Sequence, residues 1–227
     1  MEPTRMTDTG EVILQLEKVN VVLEGRKILE EVDLTVHRGD FIAVSGPNGG
    51  GKTTLLRVLL GLLKPSSGHV AYFRAGREVK SLQFGYLPQK SKIDTRFPIS
   101  VGDAVRSGQL TGLFKRRTEE QEARFREVVE MTEIDDILDR PVGVLSGGQL
   151  ERTFLARAIV SNPEIIVFDE PLSYIDSRFK RHLYEIMEDL ARETTVILVS
   201  HEMSVIKKMA NRRIYVDHRL TEEVGGI

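Results

Sequence analysis

The chain has 227 residues, 41% of them hydrophobic and 29% charged, with a formal net charge of −2 and no cysteine. That length suits one domain with a full core, or one core plus a subdomain. The near-neutral balance gives no reason to expect general affinity for nucleic acid, and the lack of cysteine excludes disulfide staples, zinc–thiolate sites and thiol catalysis.

The N-terminal stretch "MEPTRMTDTG" is polar and reads as a flexible tail over residues 1–10, without the apolar run of a signal peptide. "VILQLEKVNVVL" and "KILEEVDLTV" cluster or alternate β-branched residues and read as strands. "DFIAVSG" is a short apolar strand ending at Gly46, and "KTTLLRVLLGLL" follows as a helix stopped by "KPSSG". The longest apolar stretch, around "LLRVLLGLLK", is far shorter than the roughly 20 residues that cross a bilayer. Any membrane role is therefore expected to come through a partner.

"HVAYF" and "LQFGYLPQ" read as further strands. From about Lys90 to Arg140 the chain becomes charged and helical, with "RRTEEQEARFREVVEMTEI" an amphipathic helix carrying a solvated face. "QLERTFLARAIVS" is a helix, and "EIIVFDE" is a continuous apolar run, as in a buried parallel strand. The helix "SRFKRHLYEIMEDLAR", the strand "TTVILVS", the helix "EMSVIKKMA" and the strand "RRIYVD" follow. Strand–helix alternation on both sides of a helical insert argues for an α/β core.

"GPNGGGKT" fits G-x-x-x-x-G-K-[ST], with Gly46, Gly51, Lys52 and Thr53 at the fixed positions, between a predicted strand and a predicted helix. Such a loop turns tightly, aims successive N–H groups inward and adds the positive potential of a helix N-terminus. The candidate phosphate cradle is Gly46, Pro47, Asn48, Gly49, Gly50, Gly51, Lys52, Thr53 and Thr54. Lys52 would reach the β- and γ-phosphates, and the Thr53 hydroxyl would ligate Mg²⁺. Alone, the pattern also fits a Gly-rich strand–helix turn. The ending "IIVFDE" weighs against that: Asp169, at the end of a buried strand, can hold Mg²⁺ through water, and Glu170 can take a proton from an attacking water. His201 follows the apolar strand "TTVILVS" and is a candidate γ-phosphate contact.

A second glycine motif, "LSGGQ", lies about a hundred residues further on. Its glycines open a helix whose N-terminal donors call for an anion, yet one rigid domain cannot wrap one γ-phosphate twice. Taken in order, "GPNGGGKTT", "LPQ", "LSGGQ", "IIVFDEP" and "VSHE" resemble the ATP-binding subunits of ABC transporters, from about Val12 to Asp217.

The resemblance implies a P-loop (RecA-like) core sheet, an antiparallel β subdomain and a helical insert subdomain. The cassette would occupy residues 11–222, with its core at about 11–92 and 154–217 and its helical subdomain at about 93–153. The resemblance also implies a head-to-tail homodimer with two ATP molecules at the interface, each held by Lys52 of one copy and capped by Ser146, Gly147, Gly148 and Gln149 of the other. Gln89 resembles the Q-loop glutamine that senses Mg²⁺ and the attacking water. Asp176, in "SYID", matches the D-loop aspartate, Glu170 the catalytic glutamate and His201 the switch histidine. Those filled positions imply an active ATPase and argue against a pseudo-ATPase that only binds or regulates. One departure stands out: where the family usually stacks an aromatic on adenine, the spacing puts Leu23, unless that side chain enters the core and Val21 or Ile28 meets the base.

The segment "KSKIDTRFPISVGDAV" resembles the zinc/manganese/iron importer ATPases. That resemblance implies an integral membrane permease, an external substrate-binding protein, no nucleic acid and a peripheral place on the cytoplasmic face of the membrane. The histidines (His37, His69, His182, His201, His218) are scattered, so cargo is not expected to bind here. The rivals are a soluble ABC ATPase of DNA repair or translation, which would normally carry a coiled-coil insert or a second cassette, and a transporter ATPase for another cargo.

Overall fold

The computed structural model describes residues 10–89, 98–109, 117–171, 177–200, 206 and 209–223. The chain divides into two compact units. The first comprises the described residues of Met1–Leu82, Ala191–Thr195 and Glu202–Ile227, and the second those of Gln83–Leu190 and Val196–His201.

The first unit starts with two long strands, β1 (Val12–Leu23) and β2 (Arg26–His37), paired antiparallel. The hairpin closes with Leu23 opposite Arg26, and both turn residues, Glu24 (φ 50) and Gly25 (φ 77), take left-handed conformations. Such a two-residue turn matches the twist of its strands. With β4 (Ser67–Arg74) and β5 (Arg77–Val79) they form a four-stranded sheet in the order β2-β1-β4-β5. Ile13, Leu14, Leu16, Val19, Val21, Leu29, Val32 and Val36 are buried.

The same unit holds β3 (Phe41–Ser45), which lies parallel to β9 (Arg212–Asp217), itself paired antiparallel with β10 (Arg219–Glu223). After β3 comes α1 (Lys52–Leu59), shorter than the sequence pattern predicts. Gly61, at φ 69, ends the helix, and the amides of Leu62 and Leu63 turn back to the Arg57 carbonyl. A left-handed glycine just past a helix satisfies its last carbonyls this way, whatever apolar residues follow. Leu62 is accordingly left on the surface.

The second unit contains β6 (Phe84–Leu87), β7 (Ile165–Asp169) and most of β8 (Thr195–Val199) and α5 (Ser177–Glu193). β6 and β7 run parallel, and every residue of β7 is buried, which explains its unbroken apolar run. Truncating a residue such as Phe168 in this strand would cost about 3–5 kcal/mol. The helical segment supplies α2 (Val101–Arg106), α3 (Glu119–Met131) and α4 (Gly147–Ile159), with short 3₁₀ turns between them. On α3, Phe125, Val128 and Val129 are buried at helical spacing while the acidic face stays out. On α5, Phe179, Leu183, Ile186 and Met187 are buried in the same rhythm.

Both β5 and β10 are absent from the sequence expectations. Each is short and largely exposed, so neither carries the alternation that betrays a half-buried strand. The helix expected over "EMSVIKKMA" and the tail expected at residues 1–10 fall mostly outside the described residues.

Candidate functional site

In the first unit the site is built at the end of β3. The loop from Gly46 to Gly51 follows that buried strand and delivers the chain into α1. Gly46 adopts φ 141, and a Cβ there would sit 2.0 Å from the Val216 carbonyl oxygen. At Gly50 a Cβ would meet the same oxygen at 2.8 Å. Gly51, at φ 98, is the N-cap of α1, and a Cβ on it would lie 2.9 Å from the Ile28 carbonyl oxygen. The strands behind the loop leave no room for side chains, so the loop has to be glycine at these points. No side chain caps α1. Its first amides, from Lys52 onward, are terminal donors of the kind that bind anions.

Lys52 is only 8% exposed. Its ammonium donates to the carbonyls of Gly46 and Pro47, both at 2.9 Å, so the charge is folded over the loop. Gly46, Gly50 and Gly51, which leave no room for a Cβ, the uncapped helix amides and a buried ammonium form a positive cradle of the kind that takes phosphate oxygens.

Leu23 stands at the tip of the β1–β2 hairpin and is 40% exposed. It does not enter the core. Val21 does, being only 1% exposed, which removes Val21 as a surface for a base. Ile28 is half-buried.

In the second unit the reactive residues lie at the C-terminal ends of parallel strands, where α/β sheets bind ligands. The register pairs Leu87 of β6 with Phe168 of β7. Gln89 and Glu170 each lie two residues further on, and the Gln89 amide nitrogen donates to a Glu170 carboxylate oxygen at 2.5 Å. With its nitrogen so engaged, the Gln89 oxygen is left as an acceptor or ligand atom. Glu170 has φ 54, a left-handed conformation costly for a residue with a Cβ. Its amide donates to the Val199 carbonyl at 3.0 Å. That bond and the kink swing the chain out of β7 at Glu170. Asp169, one residue earlier, is 2% exposed.

The "LSGGQ" stretch forms the N-terminus of α4. Ser146 is the N-cap: its hydroxyl accepts from the Gln149 amide at 3.3 Å, and its own amide donates to the Gln149 side chain at 3.1 Å. This is a capping box, which satisfies two of the four terminal donors of the helix. The other two belong to Gly147 and Gly148. Gln149 thus has a local structural partner that the sequence reading did not assign. The signal was present, since S-x-x-Q is a capping-box pattern, and the same box starts α3 at Thr118 and Gln121. His201 and Asp176 lie outside the described residues.

Among the described residues no group of three or more acidic or histidine side chains is placed to hold a metal ion by itself. None of their helices is long and apolar enough to cross a membrane.

The sequence profile described as "ABC transporter" matches residues 29–173, from β2 through β7 and the residues just after it. This chain belongs to the ABC transporter family. As an ABC cassette it is an ATPase that binds nucleotide. It is 35% identical over 195 residues to the high-affinity zinc uptake system ATP-binding protein ZnuC of Bacillus subtilis (strain 168), covering 84% of each chain. To the zinc uptake system ATP-binding protein ZurA of Listeria innocua serovar 6a it is 34% identical, covering 92% of this chain and 84% of that one. The fold is similar to a dimeric bacterial ABC transporter cassette, with TM-score 0.80 and 24% identity over 95% of this chain and 100% of that one. It is likewise similar to a nucleotide-free ATP-binding cassette from an ABC transporter, with TM-score 0.76 and 22% identity over 95% and 92%.

Proposed function

We propose that this cassette is the ATP-hydrolysing subunit of a membrane importer for a divalent metal such as zinc or manganese. The observation that carries the proposal is near full-length similarity to proteins named for zinc uptake, in a chain that keeps the glycine cradle, Lys52 and the Gln89–Glu170 pair.

The roles follow from chemistry. Backbone amides of the loop from Gly46 to Thr54 bind the phosphates, and Lys52 neutralises charge on the β- and γ-phosphates. Glu170 takes the proton of the attacking water, and Gln89 orients the carboxylate that does so. Hard oxygen donors suit Mg²⁺, and this chain offers them in the Thr53 hydroxyl, the Asp169 carboxylate and the Gln89 side-chain oxygen. When bound, Mg²⁺ offsets the negative charge on the phosphates. His201 is assigned the γ-phosphate contact of the switch histidine, and Asp176 the nucleotide-site role of the D-loop aspartate. Leu23 covers the base.

Ser146, Gly147 and Gly148 act in trans. The free amides of the capped α4 terminus close over an ATP held by Lys52 of a second copy, giving a homodimer with two shared sites. We assign the cassette to residues 11–222, with its core at about 11–92 and 154–217 and its helical segment at about 93–153. The partners are an integral membrane permease and an external substrate-binding protein, with no nucleic acid. The cassette sits peripherally on the cytoplasmic face. The names of the relatives do not favour a soluble DNA-repair or translation ATPase.

The test has two arms. Purified protein should release phosphate from Mg-ATP, with Lys52→Ala inactive. Cells lacking the gene should lose uptake of labelled zinc or manganese, and the tagged chain should co-purify with an integral membrane protein. An active ATPase whose deletion leaves uptake of both metals unchanged would contradict the import reading.

A further inference from the structure

We infer that His218 is a positioning residue for ATP binding: it ties the last turn of the glycine cradle to β2, the strand that leads to the hairpin tip at Leu23. The inference rests on the nucleotide reading of that cradle.

His218 is the turn residue between β9 and β10, where Asp217 pairs with Arg219. Its φ is 58, in the left-handed region that histidine enters more readily than most side chains. Three bonds converge on it. Its amide donates to the Gly50 carbonyl at 2.9 Å, and its carbonyl accepts from the Glu30 amide at 2.7 Å. Its ring Nδ1 lies 3.2 Å from the Ile28 carbonyl oxygen. A carbonyl only accepts, so the bonding ring carries hydrogen on Nδ1. The Ile28 carbonyl, with the Leu29 side chain, is what a Cβ on Gly51, the N-cap of α1, would run into. His218 therefore holds Gly50 through its backbone, and through its ring the strand segment that abuts Gly51.

Any residue could make the two backbone bonds. The ring bond is particular to this side chain, and it bears on binding because of what lies beside it. The cradle works through amides already aimed before the phosphates arrive, and affinity falls when binding itself has to order them. The ring also links two parts of the first unit's candidate site. Ile28 follows Arg26, the partner of Leu23, by two residues, so the phosphate end and the base end share one anchor.

Two substitutions isolate the ring. His218→Gly keeps the left-handed backbone and removes the side-chain bond. His218→Asn tolerates the same backbone and offers an amide N–H from the position of Nδ1. ATP titration of the isolated protein should show a dissociation constant about twofold to tenfold weaker in the glycine variant, the range of one net hydrogen bond, with most of the loss recovered by asparagine. In steady-state hydrolysis the loss should fall on KM more than on kcat. Equal ATP affinity in wild type and His218→Gly overturns the inference, even where the glycine variant melts earlier. An asparagine variant no tighter than glycine overturns it too. Wild-type protein that binds no ATP overturns the nucleotide reading itself, so the two failures are distinguishable.

Discussion

Gln89 and Glu170 lie 81 residues apart in the chain, yet the parallel register of β6 and β7 carries them past the C-terminal ends of these two strands together, where the Gln89 amide holds the Glu170 carboxylate at 2.5 Å. The pair makes a kinetic prediction. Glu170→Gln should lower phosphate release by about 10²–10⁴-fold, the usual worth of a general base. Gln89→Ala should cost less, because the carboxylate remains. In the double variant the Gln89 change should add almost nothing, since residues acting as a unit are non-additive. Additive losses, measured by phosphate release, would show that the two side chains act separately.

Ser146 has two jobs that substitutions separate. Ser146→Ala removes the cap hydroxyl and should cost about 0.5–2 kcal/mol of stability, read by denaturant unfolding. Ser146→Arg should also abolish turnover while leaving ATP binding by the isolated chain near normal, because the cradle amides and Lys52 belong to the same chain. An ATP affinity lowered as far as in Lys52→Ala would place this motif in the binding copy's own site.

The exposed Leu23 predicts weak base recognition. Stacking on an aromatic is worth roughly 1–3 kcal/mol, and a leucine supplies burial without a flat π surface. Leu23→Tyr should tighten ATP about threefold to thirtyfold and reduce competition by GTP. Nucleotide titrations decide it. An unchanged or weaker ATP affinity would remove Leu23 as the adenine platform.

Glu222 predicts an acid effect. Its hydrogen bonds to the Arg212 guanidinium hold its carboxyl below the usual value of 4.5. A carboxyl whose folded-state pKa is lowered adds stability above its unfolded pKa, and that stability is lost as pH falls through the lower folded value. Glu222→Gln should therefore lower the melting temperature at neutral pH, modestly because the side chain is half exposed, and the difference should vanish once pH has fallen below that lower folded value. A difference that persists below that pH would point to lost packing instead of lost charge.

What could be read from the chain depended on how local each signal was. The glycine cradle and the buried strand before Asp169 are contiguous patterns whose physics acts on neighbouring residues. The capping box at Ser146 and Gln149 is equally local, an S-x-x-Q pattern at a helix start. Gly61 ends α1 inside an apolar run whose helical rhythm continues past it. The His218 anchor was not legible, because Ile28 is 190 residues away along the chain and only the closed fold brings the two together.

In the proposed homodimer each ATP is shared between two copies, with Lys52 in one and Ser146 in the other. Size exclusion of the Glu170→Gln protein tests it most directly, because blocked hydrolysis leaves the sandwich closed. With millimolar ATP and Mg²⁺ this variant should elute as a dimer, and adding Ser146→Arg to it should return it to monomer. A Glu170→Gln protein that binds ATP and stays strictly monomeric would contradict the shared site.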